Sequence, residues 1–412
     1  MTETLRTSPH RIKGNHMAST EVLRADTSAR VSWKNDPRVR GIIFQVLVVV
    51  ILAAAVYWIW GNTVDNLRRA NISSGFGFLD RRSGFDVSQS LIQYTADSSF
   101  RSALIVGLLN TILVAICGII TATIIGFLVG VGRLSGNWLI AKICTVYVEV
   151  FRNIPPLLVI FFWYLGVLSV LPGPRDSLEL PFSSYLNNRG FFLPKAIWEE
   201  SAWLIPAALV VGIIVAFIVN RWAYRRQMQT GQPFPRLATS LGLIIGLPLL
   251  VTLLLGIPVS FEFPQKGTFN LSGGFQVKPE FLSLYLALSF YTASFIAEIV
   301  RAGILGVNRG QTEASYALGL RSGLTLRLVV IPQAMRIIIP PLTSQYLNLT
   351  KNSSLAVFVG YPDLVQIGQT TMNQTGQAIE VVAIWMVIYL GLSLSTAAFM
   401  NWFNAKMALV ER

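Results

Sequence analysis

Glu313-Ala-Ser-Tyr-Ala-Leu-Gly-Leu-Arg-Ser-Gly323 lies between two long apolar runs, in a neighbourhood that also holds Arg301, Arg309, Arg321, Arg327 and Arg336. Small residues alternate here with a few large ones, which predicts a short, thin cytosolic helix wedged between two membrane spans. Thr312 is placed to cap its start, because a hydroxyl accepts an orphan amide hydrogen of the first turn. Glu313 then meets the positive end of the helix dipole, and Gly319 suits the C′ position, where a left-handed backbone costs glycine nothing. Ala314, Ser315 and Ala317 leave most of the surface thin, while Tyr316, Leu318 and Leu320 project. Two turns of such a helix bury too little to be stable alone. It needs a partner, either the body of its own protein or a groove in another.

The apolar runs on either side are typical of the whole chain. Of 412 residues, 53% are hydrophobic and 13% charged, against about 25% charged in a soluble domain. Mean hydropathy is +0.57. Uncharged or nearly uncharged stretches recur at 41–60, 102–132, 153–174, 201–220, 237–261, 281–297, 337–350 and 381–405. A helix needs about 20 apolar residues to cross the hydrocarbon, so the expected fold is an all-α integral membrane protein of about eight transmembrane helices. Pro340 and Pro341 predict a kink, with the seventh span starting near Leu342; a seven-span count would put the C-terminus outside.

Positive residues orient the spans. With the N-terminus in the cytosol, 22 of the 33 Lys and Arg fall on the inner side, which supports both termini cytosolic. The net charge of +13 is then a consequence of topology and gives no case for nucleic acid. Residues 1–40 form a basic cytosolic arm expected to be disordered. Residues 41–99 supply the first span and a long periplasmic loop, expected to be mainly a solvated connector. Residues 100–402 form the main transmembrane domain, and 403–412 a cytosolic tail. Within the domain, 172–280 holds two further spans and the cluster Arg221, Arg225, Arg226.

Several chemistries are missing from the sequence. There is no Gly-x4-Gly-Lys-Ser/Thr phosphate loop, no Gly-x-Ser-x-Gly elbow served by a histidine, and no paired His/Cys/carboxylate metal set. The histidines, His10 and His16, lie in the N-terminal arm, and Cys117 and Cys144 fall in or beside apolar segments. A membrane-embedded enzyme is thereby disfavoured.

Glu313-Ala314-Ser315, Gly319 after three residues, and Val329-Val330-Ile331-Pro332 after nine more resemble the EAA loop of membrane subunits of ATP-binding-cassette (ABC) importers. That pattern is Glu-Ala-Ala, three residues, Gly, nine residues, Ile-x-Leu-Pro; here Ser315 replaces the third Ala, Val329 the Ile and Ile331 the Leu. The bland alternative is a basic interhelical loop. The resemblance implies the type I ABC importer permease fold and a loop, Glu313 to Leu320, that docks on a separate cytosolic ATPase.

Three other phrases hold candidate pathway or gate residues. Tyr147-Val-Glu-Val-Phe-Arg152-Asn153-Ile-Pro155-Pro156-Leu-Leu158 resembles a phrase of the polar amino-acid branch of importer permeases. Its paired prolines free carbonyls that can line a cavity, while Arg152 reads equally as an inner-boundary anchor. Glu298 and Arg301 stand three apart on one helix face and read as a neutralised pair in a structural or gating role, or as a substrate contact. Lys351-Asn352-Ser-Ser-Leu resembles the phrase that follows the EAA loop in the same branch; Lys351 either lines the pathway or snorkels to the outer interface.

Length, the long first outer loop and the mid-chain pair of extra spans resemble the larger permeases of general L-amino-acid systems or of their glutamate/glutamine/aspartate/asparagine counterparts, and the resemblance implies that 172–280 is an insertion carrying two extra helices. What this implies is a bacterial inner-membrane subunit with no cofactor of its own, ATP and Mg being bound by the partner ATPase. The implied partners are that ATPase, a second permease subunit, a periplasmic amino-acid-binding protein, the polar amino-acid substrate and membrane lipid. A stand-alone secondary transporter or channel is the rival reading.

Overall fold

The computed structural model describes residues 37–69, 75–256, 259–267 and 270–407. Most of the expected N-terminal arm, and 408–412 of the tail, lie outside the described residues. The chain divides into two compact units, 1–72 and 73–412. In the first, α1 (Pro37–Arg69) carries a span whose apolar window has mean hydropathy 2.7 with none of it buried, the surface expected of a helix solvated by lipid.

The second unit is built around α2 (Phe100–Gly132). Gly118, Ala122, Gly126 and Gly130 recur every four residues and lay a smooth stripe along one face. α7 (Pro279–Leu305) packs so closely on it that a Cβ at Gly126 would stand 2.5 Å from Ile296 Cγ2, and one at Gly130 would stand 2.7 Å from the Ala297 carbonyl. Lipid tails are as apolar as leucine, so association in the membrane rests on such close van der Waals contact. α10 (Ile331–Asn352) joins the same core: Gly118 faces Leu349, and Gly303 of α7 faces Ile338. Tyr285 and Tyr346 hydroxyls bond Thr121 and Thr123 of α2 at 2.7 and 2.9 Å, so each interface carries a polar lock. α12 (Ala378–Met407) packs on α10.

Between α2 and α7, α3 (Trp138–Asn153) is followed by a break at Ile154-Pro155, then by α4 (Pro156–Phe161), which continues in wide π-type turns to Leu168. The chain bends by 111° between the two arms. The described helices include seven long and apolar enough to cross a membrane, and eight if this bent pair is one span. The expected span 153–174 is therefore corrected in extent: its helical part is the 13 residues 156–168, and the prolines expected to interrupt the backbone turn the chain at its head. The expected start near Leu342 is corrected as well. α10 runs helically from Ile331 through Pro340 and Pro341, because neighbouring helices can satisfy the carbonyls that prolines release.

The outer face holds what helix periodicity could not indicate. Loop 75–99 is folded onto the bundle. Phe78 is fully buried against Phe100 and Val381, and Gln89 is tied to α2 through Asn110, whose Nδ2 donates to the Gln89 and Pro362 carbonyls at 2.9 and 2.8 Å. The solvated-connector expectation fails there. The segment 353–359 coils tightly after α10 and leads to α11 (Leu364–Thr375), whose first amide donates to Thr111 at 3.1 Å. Asp363, 1% exposed, caps α11 by accepting from the Gln366 amide at 2.8 Å.

Segment 172–280 contributes α5 (Leu204–Thr230) and α6 (Arg236–Leu255) between two runs of short strands. β1 (Leu178–Leu180), β2 (Ser184–Asn187), β3 (Gly190–Leu193) and β4 (Lys195–Trp198) precede the helices. β5 (Val259–Glu262), β6 (Gln265–Lys266), β7 (Leu271–Ser272) and β8 (Phe275–Val277) follow them. One antiparallel sheet runs β1-β2-β3-β8, and β4 pairs with β5, so both sheets stitch the start of the segment to its end. α5 and α6 pack chiefly on each other, with Gly212 against the Leu243 carbonyl.

Candidate functional site

The quoted stretch folds as α8 (Arg309–Ala317), followed by the single turn α9 (Ser322–Thr325). The expected cap moves back by four residues: the Asn308 side chain, not Thr312, accepts from the Gly310 amide at 2.8 Å. Asn is as good a cap as Ser or Thr, and its earlier position adds a turn, which takes Glu313 out of the first turn and away from the dipole end. The stop is as expected. Gly319 has φ +77°, its amide donates to Tyr316 at 2.9 Å, and the Leu320 amide donates to Ser315 at 3.1 Å, the paired closure of a Schellman motif.

One seam holds α8 to the bundle. Ser315 is 4% exposed and its hydroxyl donates to the Gln311 carbonyl at 2.7 Å, while Thr312 and Leu320 are half-buried. Glu313, Ala314, Tyr316, Ala317, Leu318 and Gly319 all face outward, Leu318 at 82% exposure and Tyr316 at 51%. Within α8 the one residue that departs from the EAA pattern, Ser315, is thus the one turned inward, where a small hydroxyl can satisfy itself on its own helix.

At the inner end of the bundle Glu298 gathers three arginines. Oε2 binds Arg133 at the end of α2 and lies 3.6 Å from Arg152, which closes α3; Oε1 accepts from Arg301 at 2.8 Å. The Arg152 guanidinium also sits over the Phe295 ring at 5.6 Å. Arg301 was expected beside Glu298; Arg152 was read as an inner-boundary anchor or pathway residue and not as its partner, and Arg133, the most buried of the three, was missed. Its position directly after a 31-residue apolar run was the available signal, since a cation at the end of a span needs an anion if it cannot reach water. The cluster ties α2, α3 and α7 together and carries a net excess of two positive charges.

Outward of this cluster is a cavity of about 280 Å³ lined by Pro156, Tyr291, Thr292, Phe295, Gln345, Asn348 and Asn352. Gln345, Asn348 and Asn352 share one face of α10 by their spacing; of the three, Asn352 was expected in the pathway, whereas Gln345 and Asn348 were missed although that spacing was legible in the sequence. Its walls supply neutral donors and acceptors, and Phe295 separates them from Arg152. The expected pathway residues divide accordingly. Pro156 and Asn352 line the cavity; Arg152 is in the charged cluster; Asn153 and Pro155 are exposed at the bend, with Asn153 bonded back to the Glu149 carbonyl at 2.7 Å. Lys351 is exposed and lines a different cleft, with Ser354, Trp385 and Tyr389, because adjacent helical residues point about 100° apart. Among the described residues, no group of His, Cys, Asp and Glu could hold a metal ion.

Residues 237–409 match the family described as "Binding-protein-dependent transport system inner membrane component". The General L-amino acid transport system permease protein AapQ of Rhizobium johnstonii is 63% identical over 377 residues, which cover 92% of this chain and 94% of that protein. The putative amino-acid ABC transporter permease protein YhdX of Escherichia coli is 47% identical, covering 94% and 99%. The glutamate/glutamine/aspartate/asparagine transport system permease protein BztB of Rhodobacter capsulatus is 42% identical, covering 92% and 96%. With seven or eight spans, an outward-facing helix in the EAA register and these relatives along nearly its whole length, the chain belongs to the amino-acid ABC transporter permeases, multi-pass inner-membrane components of binding-protein-dependent transport systems.

Proposed function

We propose that this chain is the membrane subunit through which polar L-amino acids enter the cell, driven by a separate ATPase that docks on α8. The observation that carries the docking role is the exposure of Leu318 and Tyr316 on a helix whose opposite face, with Ser315 buried and Gln311 bonded to Gln333, holds it to the bundle. Large apolar side chains held in water on a rigid, thin support suit a cleft on another protein. The names of the relatives, one given for general L-amino acids and one for glutamate, glutamine, aspartate and asparagine, support the substrate class. ATP and Mg belong to the partner, and a second permease subunit completes the pore.

In this reading a periplasmic binding protein delivers the amino acid to the outer mouth. The cavity at Thr292, Gln345, Asn348 and Asn352 receives it through hydrogen bonds, and the Glu298 cluster beneath closes the inner end. ATP-driven closure of the ATPase pulls on α8, parts the charged cluster and opens the cavity inward. The neutral lining suits a pathway that must release its cargo.

Mass spectrometry of subunits that co-purify with the full chain tests this reading. The wild type retains an ATPase carrying a phosphate loop, and Leu318→Asp loses it while staying in the membrane. An undiminished ATPase on Leu318→Asp refutes the docking role. Amino-acid uptake into vesicles without nucleotide would establish the stand-alone transporter instead.

A further inference from the structure

We infer that the inner turn of the α5–α6 hairpin is a binding site for the phosphate headgroup of an anionic phospholipid of the cytosolic leaflet. The turn, residues 231–235, lies on the same side as α8, since α6 and α7 cross the membrane in succession between them. Arg221, Arg225 and Arg226 precede it on α5 and Arg236 opens α6, yet no Asp or Glu occurs anywhere from 201 to 261.

The four arginines are not equivalent. Arg226 lies over the Trp222 ring at 5.5 Å and donates to Gln232 at 3.3 Å. Arg236 lies over the Tyr224 ring at 5.4 Å and bonds Gln227. Arg221 and Arg225 are both exposed, stand one turn apart on the same face of α5, and make no ion pair among the described residues. Like charges at this spacing destabilise a helix unless an anion bridges them.

Where the cluster sits says which anion. α6 has no buried residue, and the α5–α6 pair packs chiefly on itself, so the hairpin is surrounded by lipid. A guanidinium pair at the cytosolic end of two lipid-facing helices stands at headgroup depth, beside the interfacial rings of Trp222 and Tyr224. The phosphates there belong to the leaflet that carries anionic lipid, and two parallel guanidinium forks match a phosphate's oxygens.

Native mass spectrometry of the full complex, released from nanodiscs of phosphatidylcholine with or without phosphatidylglycerol, tests the site. The wild type retains phosphatidylglycerol in preference to phosphatidylcholine. Arg221→Gln/Arg225→Gln weakens that retention roughly thirtyfold, at about 1 kcal/mol for each arginine near an anionic surface. Arg221→Lys/Arg225→Lys, which keeps the charge, retains most of it. Equal retention of the two lipids, or equal retention by wild type and the Gln pair, overturns the proposal. Displacement of phosphatidylglycerol by millimolar inorganic phosphate would make it a free-phosphate site, and loss of a co-purifying ATPase from the Gln pair would make it a protein contact; either also overturns it. Because lipid retention is read without transport or nucleotide, failure here leaves the docking role of α8 standing, and the reverse.

Discussion

Arg133 and Glu298 are 165 positions apart and bind each other at the inner end of the bundle, joining the residue that caps the end of α2 to the last turns of α7. Glu298 is the common partner of three cations, so its removal leaves Arg133, Arg152 and Arg301 facing one another. Glu298→Gln is expected to destabilise the detergent-solubilised protein by about 2–3 kcal/mol, the worth of charge-assisted hydrogen bonds, and to let ATP hydrolysis run without uptake. Arg133→Gln should cost more than Arg301→Gln, because Arg133 is the more buried. Thermal unfolding alongside coupled ATPase and uptake assays checks both; equal melting of all three with the wild type contradicts the assignment.

The glycine stripe of α2 gives a contrast between two glycines. Gly126→Val should prevent assembly of the bundle, since its Cβ alone lands 2.5 Å from Ile296 Cγ2 and 3.1 Å from the Ala293 carbonyl; overpacking of this kind costs about 1–3 kcal/mol or more. Gly242→Ala in α6 meets nothing within 4 Å and should be neutral or stabilise by up to about 1 kcal/mol, the helix-propensity difference. Yields of monodisperse protein after size exclusion separate the two.

At Gly319 there is open space around the position, so the strain is in the backbone alone. Asn tolerates the left-handed region better than Ala, and a β-branched residue worst. Uptake should therefore fall in the order Gly319→Asn, Gly319→Ala, Gly319→Val, with all three present in the membrane at wild-type amounts. A flat series would mean that the closure of α8 does not matter for coupling.

Asp363 stands between the candidate spans, and burial raises its carboxyl from the usual range to about 7. A carboxyl that holds its proton when folded and loses it when unfolded favours the folded state in acid, so stability should be greatest at low pH and decline as pH rises toward 7. Asp363→Asn keeps the cap on Gln366 and removes the titration. Its melting temperature should vary less between pH 4 and 8 than that of the wild type and exceed it at pH 8. Parallel pH profiles would assign the dependence elsewhere.

Much of this was legible in one dimension. Eight apolar runs, the inner excess of cations and the Glu313 to Pro332 spacing follow from local composition, and the described helices fit them except where prolines bend the third. The charged cluster was half legible: Glu298 and Arg301 are neighbours on a helix, whereas Arg133 reaches them only because Gly126 and Gly130 bring α2 against α7. The eight strands were invisible because they are two to four residues long, too short for any periodicity, and because the β3–β8 and β4–β5 pairings span more than 60 positions. Phe78 was unreadable for a related reason, since its burial depends on Phe100 and on Val381 some 300 residues away.

The antiparallel seams β3–β8 and β4–β5 hold the two ends of the 172–280 block side by side. A block whose entrance and exit coincide is a detachable cassette: excising the 204–255 hairpin and rejoining β4 to β5 through a tight turn would leave α4 and α7 where they are.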